Sequence, residues 1–104
     1  MTIQLNADKN LKINEAFGND LEDLLTEGLN RFSEQITRLE VHLSDENGNK
    51  DGQNDKRCLL EARLEGMQPI AVNAYAHTHE QSVAEAIDKL KKSLKTILGR
   101  LSNH

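Results

Sequence analysis

The densest group of side chains able to do binding chemistry lies at the end of the chain, where basic residues occur without acidic neighbours. Residues 89–104 hold five of the 13 lysines and arginines and no aspartate or glutamate, whereas residues 1–88 hold all 17 acidic residues. Lysine and arginine contact phosphate groups and release the counterions that surround them. The net charge of -4 therefore conceals a basic segment that suits an anionic partner.

The arrangement of these bases on a helix permits two explanations. Winding residues 80–101 at about 100° per residue places Lys92 opposite the apolar stripe, Lys89 and Arg100 to one side, and Lys95 to the other. These four side chains could contact phosphate groups along the exposed side of the helix. The helix macrodipole is the alternative, because acidic residues come early in the helix and basic residues late, and each such placement is worth about 0.3 to 1 kcal/mol without any ligand. The sequence leaves both explanations open.

The patterns that could bind a metal are incomplete. His77 and His79 could share a metal, but the spacing marks no third ligand, and we expect exposed histidines instead. Asp45 opens a segment with carboxylates and amides at alternate positions, as in calcium loops, yet the required glycine and final glutamate do not both fall in place in either register. This polar segment is predicted to be the most mobile part of the chain. We expect neither a metal nor another cofactor.

Patterns typical of catalysis are also missing from the sequence. It contains no glycine-rich phosphate loop, no Ser/His/Asp signature, and no acidic pair that spacing alone would place in a cleft. Cys58 is the single cysteine, and because it alternates with apolar residues we predict a buried free thiol. We therefore expect a protein that is not an enzyme and has no small-molecule substrate.

The strands that must position these residues follow from the alternation of apolar and polar side chains. Residues 38–44, 56–65 and 70–76 alternate with a period of two, with Leu60 among the inward side chains, which predicts three antiparallel strands with one buried face. A shorter edge strand is predicted over residues 2–6. Together these segments predict a four-stranded sheet whose other face is exposed to water.

Two helices are predicted from apolar residues that recur every three or four positions. The first extends from the N-cap Asn14 to about residue 34, and the second covers residues 80–101. Gly28 weakens the first helix by about 1 kcal/mol, so we expect it to permit close packing on the sheet. The predicted fold class is α+β, in the order β-α-β-β-β-α, with both helices packed on one face of the sheet.

The length of the chain limits the number of domains, and its first residues indicate its cellular location. With 104 residues it can form one domain, residues 1–104, but not two. The first ten residues lack the basic start and apolar run of a signal peptide, and no segment approaches the ~20 apolar residues of a membrane span. We expect a single cytoplasmic domain without a membrane partner.

Three segments of the chain carry a resemblance to a known family, and they read RFSEQITRLEVHLSDENG, DKRCLLEARLEG and AIDKLKKSL. Together they make the chain similar to the ribosome hibernation-promoting factors, also called ribosome-associated inhibitor A or sigma-54 modulation proteins, in their short single-domain form. The resemblance implies a fold like that of double-stranded-RNA-binding domains. It also implies a translation inhibitor that binds 16S rRNA on the small ribosomal subunit, covers the mRNA and tRNA sites and keeps idle ribosomes inactive under stress.

The same resemblance implies which residues contact RNA. Members of the family contact ribosomal RNA largely through basic residues on the two helices. Lys89, Lys92 and Arg100 match such positions in the last helix, and Arg31 matches one near the end of the first. With Lys95, which the helical arrangement adds, these five residues form the predicted RNA-binding site.

Other positions of the chain depart from the family pattern and support an alternative. Where relatives tend to carry lysines in the middle of the first helix, this chain has Glu27, Gly28 and Asn30, and Ile97 and Leu98 stand where typical members are basic. The alternative is a protein-interaction module of the same fold, whose partner contacts the outer sheet face or the acidic first helix. With either function we expect a monomer in solution.

Overall fold

The elements of the chain follow the predicted order β-α-β-β-β-α, which confirms the α+β class. The computed structural model describes residues 1–8, 11–45 and 55–102. The elements are β1 (Thr2–Ala7), α1 (Glu15–Gly28), a 3-10 turn (Asn30–Phe32), β2 (Ile36–Asp45), β3 (Lys56–Leu64), β4 (Ile70–Ala76) and α2 (His79–Ser102).

The four strands form one mixed sheet in the order β1-β2-β3-β4. β1 pairs in parallel with β2, as the predicted edge strand, and the other two pairs are antiparallel, with Leu60 opposite both Val41 and Val72. β4 forms the second edge. β1 and β4 therefore point the same way, and each leads into a helix that returns across the same face. It follows that α1 and α2 run in roughly the same direction.

The hydrophobic core lies between the inner sheet face and both helices. Leu39, Val41 and Leu60 are fully buried, whereas Arg38 and His42 on alternate positions of β2 are exposed, which confirms the predicted facing. Burying a large apolar side chain contributes about 1.5 to 3 kcal/mol. The helices supply the other side of this core with Leu21, Leu25, Val83, Ala86, Leu90 and Leu94.

The first helix begins where the sequence predicts but ends earlier. The side-chain oxygen of the N-cap Asn14 accepts a hydrogen bond of 2.8 Å from the backbone N–H of Phe17. The helix ends at Gly28 and not near residue 34, because glycine is a weak helix former and Leu29 leaves the helical region with φ -108° and ψ 11°. A 3-10 turn follows, which leaves Arg31 exposed.

Gly28 packs against the second helix and not against the sheet, which corrects the prediction from sequence. A Cβ atom at this position would lie 2.8 Å from Cγ2 and 3.3 Å from Cδ1 of Ile87. Because Ile87 is buried in a close-packed core, it has little room to move aside. The missing side chain of Gly28 thus sets how closely the two helices approach.

The second helix confirms its predicted apolar stripe. Val83, Leu90 and Leu94 are fully buried. The hydroxyl of Thr78 accepts a hydrogen bond of 3.1 Å from the backbone N–H of Gln81 and so caps the first turn. The 24 residues of this helix extend over about 36 Å. Within the described ranges, no helix is long and apolar enough to cross a membrane.

Candidate nucleic-acid interface

The basic half of α2, residues 89–102, presents its cations on the side away from the core. Lys89, Lys92, Lys95 and Arg100 are all exposed. Among the residues that the structure describes, no carboxylate forms an ion pair with any of these four side chains. The four cations are therefore free of direct contact with a carboxylate of the described residues, and together they favour a positive potential along this surface.

Lys89 is held against the edge of the sheet. Its Nζ donates a hydrogen bond of 2.8 Å to the backbone carbonyl oxygen of Asn73 in β4, the strand that has a neighbour on one side only. A lysine ammonium group carries three N–H donors, and Lys89 remains exposed to solvent. The contact fixes one cation beside the sheet edge while two donors stay available to a ligand.

Arg31 reaches the same end of the molecule from the other helix. It follows Gly28 in the 3-10 turn, as Lys91 follows Ile87 along α2. Because Gly28 lies against Ile87 and the helices run in roughly the same direction, Arg31 and the basic half of α2 lie at one end of the helix pair. The guanidinium carbon of Arg31 is 5.7 Å from the centroid of the Phe32 ring, a favourable cation–π contact.

Lys91 is a basic residue that the sequence prediction left out of this site. It is half-buried and lines a groove of about 330 Å³ between the helices, together with Leu24, Glu27 and Asp88. The sequence could have indicated Lys91, because it lies four residues before Lys95, about one helical turn away and nearer the apolar stripe. Lys91 therefore stands at the border between the acidic and the basic surface of the helix pair.

The helix macrodipole accounts for only one of the cations of α2. Its effect is confined to the last turn of a helix, and since α2 continues to Ser102, Arg100 alone lies in that turn. Lys92 and Lys95 precede it and gain nothing from the dipole. They are three residues apart, and like charges at that spacing on a helix repel by about 0.2 to 0.5 kcal/mol. The dipole therefore does not explain the lysines.

Cys58 is a buried free thiol, as predicted. Burial raises the pKa of this thiol to about 12, although the nearby Arg57 acts in the opposite direction. Only the thiolate form is a nucleophile. At neutral pH Cys58 is therefore an apolar core residue.

The described residues contain no group of three or more side chains that could hold a metal. Asp45, the first position of the calcium-like segment, forms an ion pair of 2.8 Å with Lys56, which also contacts Asp55 at 3.2 Å. The hydrogen bond that Lys56 donates to the Asp45 carboxylate raises the pKa of Lys56. The other positions of that segment and its predicted mobility concern residues 46–54, which lie outside the described residues.

The two histidines near the start of α2 differ in environment. His77 is exposed, as predicted, but His79 is half-buried and forms the first residue of α2, which corrects the prediction. Burial lowers the pKa of His79, and the charge of Lys56 lowers it further. The Nδ1 atom of His79 is buried and, in the described part of the chain, makes no hydrogen bond. The folded protein therefore favours the neutral imidazole.

The outer sheet face has two ends of different character. At one end Arg63 contacts Glu61 at 3.1 Å and Glu40 at 3.5 Å, and Arg38 also contacts Glu40 at 3.5 Å. These charges balance one another. At the other end Tyr75 exposes 48% of its surface. One end is thus internally paired, while the other presents an aromatic ring to solvent.

Arg57 joins Tyr75 to a shallow groove on the outer face. The guanidinium carbon of Arg57 is 5.9 Å from the centroid of the Tyr75 ring. The sequence analysis missed this pair, because it depends on the register that sets Arg57 opposite Tyr75 across two strands. The groove has a volume of about 370 Å³ and is lined by Asn6, Ala7, Asp8, His42, Leu43, Ser44 and Arg57.

Comparisons with known proteins relate the chain to a family and to several solved structures. Residues 6–102 match the family model described as sigma 54 modulation protein / S30EA ribosomal protein. The N-terminal domain of Protein Y from Thermus thermophilus is 22% identical over 93% of this chain and 99% of that one, with a TM-score of 0.71. A ribosomal subunit interface protein from Coxiella burnetii is 18% identical over 95% and 99%, with a TM-score of 0.74. No curated protein matches the sequence significantly.

Proposed function

The chain belongs to the sigma 54 modulation protein / S30EA ribosomal protein family, and we propose that it inhibits translation by occupying idle ribosomes. The family is one of ribosome-associated factors and not of known enzymes. The proposed partner is the small ribosomal subunit, on which the domain binds 16S rRNA and blocks the sites of mRNA and tRNA. It inhibits translation by steric occlusion of these sites and acts as a cytoplasmic monomer during stress.

The observation that carries this proposal is the set of lysines on α2 that the helix dipole does not explain. Lys92 and Lys95 repel each other and have no acidic partner in the described part of the chain. A phosphate backbone would supply the missing opposite charge. The proposed contacts to RNA are the five residues predicted from sequence, Arg31, Lys89, Lys92, Lys95 and Arg100.

The arrangement of these residues fits a folded RNA surface. Contacts to folded RNA depend on shape and on phosphate and ribose groups more than on base sequence. A helix pair with cations at one end can meet phosphates from separate strands. The acidic surface around Glu27 and Asp88 borders these cations and would orient the domain by repelling RNA beside them. Specificity then comes from the shape of the subunit.

Co-sedimentation of the unmodified protein with isolated small ribosomal subunits tests the proposal. Five phosphate contacts predict that log affinity falls by about 3.5 to 4.5 per unit of log salt, so raising the salt from ~50 to ~200 mM weakens binding by about 100- to 500-fold. Large subunits under the same conditions serve as the control and should leave the protein in the supernatant.

The protein-interaction alternative predicts a different salt response. An interface with a protein depends less on counterion release, so its affinity changes little over the same range. Absence of binding to small subunits at low salt would contradict the proposed function and favour this alternative.

A further inference from the structure

Tyr75 is the one large apolar side chain that the described residues leave exposed. It lies on β4, on the outer face of the sheet, where it does not contribute to the core. Tyrosine rings on an open sheet face stack with unpaired nucleobases, because every base has a flat π-face. The Tyr75 ring is thus available for a contact that the residues of the helix pair do not make.

One cation lies at this ring, and a second contacts the same strand two residues away. Arg57 lies opposite Tyr75 on β3, with its guanidinium carbon 5.9 Å from the ring centroid. Two positions before Tyr75 on the same strand, Asn73 receives the hydrogen bond from Lys89 of α2. The nearest side chains on the same strand and face, Asn73 and His77, are not acidic. The charges beside Tyr75 therefore complement phosphate.

Lys89 connects this ring to the basic half of α2. Residues 73 and 75 are about 7 Å apart along the strand. One nucleotide can span that distance between a phosphate held at Lys89 and a base placed over Tyr75. The sheet edge is therefore a path from the helix surface to the outer face.

We propose that an unpaired nucleotide of the bound RNA stacks on Tyr75, so that the RNA interface continues from α2 around the edge of β4 onto the outer sheet face. The inference rests on the proposed function for the presence of RNA. Tyr75 supplies the stacking surface, Arg57 supports the ring from within the sheet, and Lys89 holds the adjoining phosphate. The ion-paired end of the outer face, with Arg38 and Glu40, lies outside the site.

The composition of the chain provides a direct probe of this contact. Tyr75 is the single tyrosine, and the chain has no tryptophan, so the tyrosine emission of the protein reports on this ring alone. Titration with a short single-stranded polyadenylate RNA should quench the emission. Addition of inorganic phosphate at the same ionic strength is the control and should leave the emission unchanged.

Variants of Tyr75 then measure the contribution of stacking to binding. Tyr75→Ala should weaken affinity for the polyadenylate and for isolated small subunits by about 5- to 150-fold, the range for losing one base stacked on an aromatic ring, whereas Tyr75→Phe should bind like the unmodified protein. Arg38→Ala removes a cation from the ion-paired end of the same face and should have little effect. Unchanged melting temperatures verify that each variant is folded.

The outcomes separate this inference from the proposed function. Small subunits that bind the unmodified protein and Tyr75→Ala equally well, with no quenching by RNA, would overturn the inference and leave the proposed function standing. Loss of subunit binding in Tyr75→Ala without quenching by RNA would also overturn it, since the ring would then contact a ribosomal protein. If the unmodified protein binds no subunit, the proposed function fails, and the polyadenylate titration alone decides whether Tyr75 stacks on RNA.

Discussion

The two halves of α2 differ in burial and in charge. In the first half Val83 and Ala86 are fully buried, Ile87 packs against the neighbouring helix, and the exposed surface is acidic. In the second half, no described side chain after Leu94 is fully buried, and the exposed surface is basic. Leu90 and Leu94 continue the buried stripe into the second half, so the buried side chains up to Leu94 hold the helix in the fold, while the exposed cations of the second half are available to a partner. Substitutions that disturb the packing of the first half should change stability, and substitutions of the exposed cations should change binding.

Glycine-to-alanine changes next to the first half of α2 and within its second half should have opposite effects on stability. Gly28→Ala places a Cβ atom 2.8 Å from Cγ2 of Ile87, so we expect the free energy of unfolding to fall by about 1 to 2 kcal/mol. Gly99→Ala, in the second half, meets no atom within 4 Å and should raise it by about 0.5 to 1 kcal/mol through helix propensity. Urea unfolding of both variants measures the two values.

Stabilisation of both variants would contradict this expectation, because it would mean that the helices can separate at residue 28 without cost. Binding to small subunits provides the matched control. Both variants should bind like the unmodified protein at a temperature where each is folded, since neither substitution alters a cation of the basic half.

A smaller effect on stability is expected from the titration of His79, the first residue of α2. Because the folded-state pKa of His79 lies below its ordinary value of 6.5, the unfolded chain binds more protons between the two values. The contribution of His79 to stability is therefore complete above about pH 6.5 and is lost as the pH falls from there through the folded pKa. Asp45 and Asp55 oppose this shift and Lys56 adds to it, so the loss should be modest.

Thermal unfolding of the unmodified protein and of His79→Gln between about pH 7.5 and pH 5 measures this contribution. The melting temperature of the unmodified protein should fall more steeply on acidification, because the variant has no imidazole to protonate. Parallel curves for the two proteins would show that the burial of His79 has no energetic consequence. Binding at the far end of α2 should not depend on this substitution.

The sequence predicted the parts of the fold that depend on local periodicity. The alternation around Leu39 and Leu60 set which face of each strand is buried, and the spacing of Val83, Leu90 and Leu94 set the face of α2, because one face of each element must leave water. Asn14 was predictable as a cap, since its side chain satisfies a nearby backbone donor.

The features that the sequence did not predict depend on contacts between elements. The packing of Gly28 on Ile87, the position of Lys89 on the carbonyl of Asn73, and the pairing of Arg57 with Tyr75 all require distances between residues far apart in the chain. The candidate site was therefore predictable as a set of basic residues on α2 and Arg31. The path from α2 to the outer sheet face was not.

The most direct test of the account is a charge reversal in the second half of α2 with stability and binding measured on the same protein. Lys92→Glu combined with Lys95→Glu should abolish co-sedimentation with small ribosomal subunits at low salt, while the free energy of unfolding stays within about 0.5 kcal/mol, because both positions are exposed and precede the last turn. Lys12→Glu, an exposed lysine outside α2, is the control and should bind normally. Full binding by the double variant would contradict the claim that these lysines serve an RNA partner. A loss of about 1 to 2 kcal/mol in the stability of the variant, with an unmodified protein that does not bind small subunits, would contradict it as well.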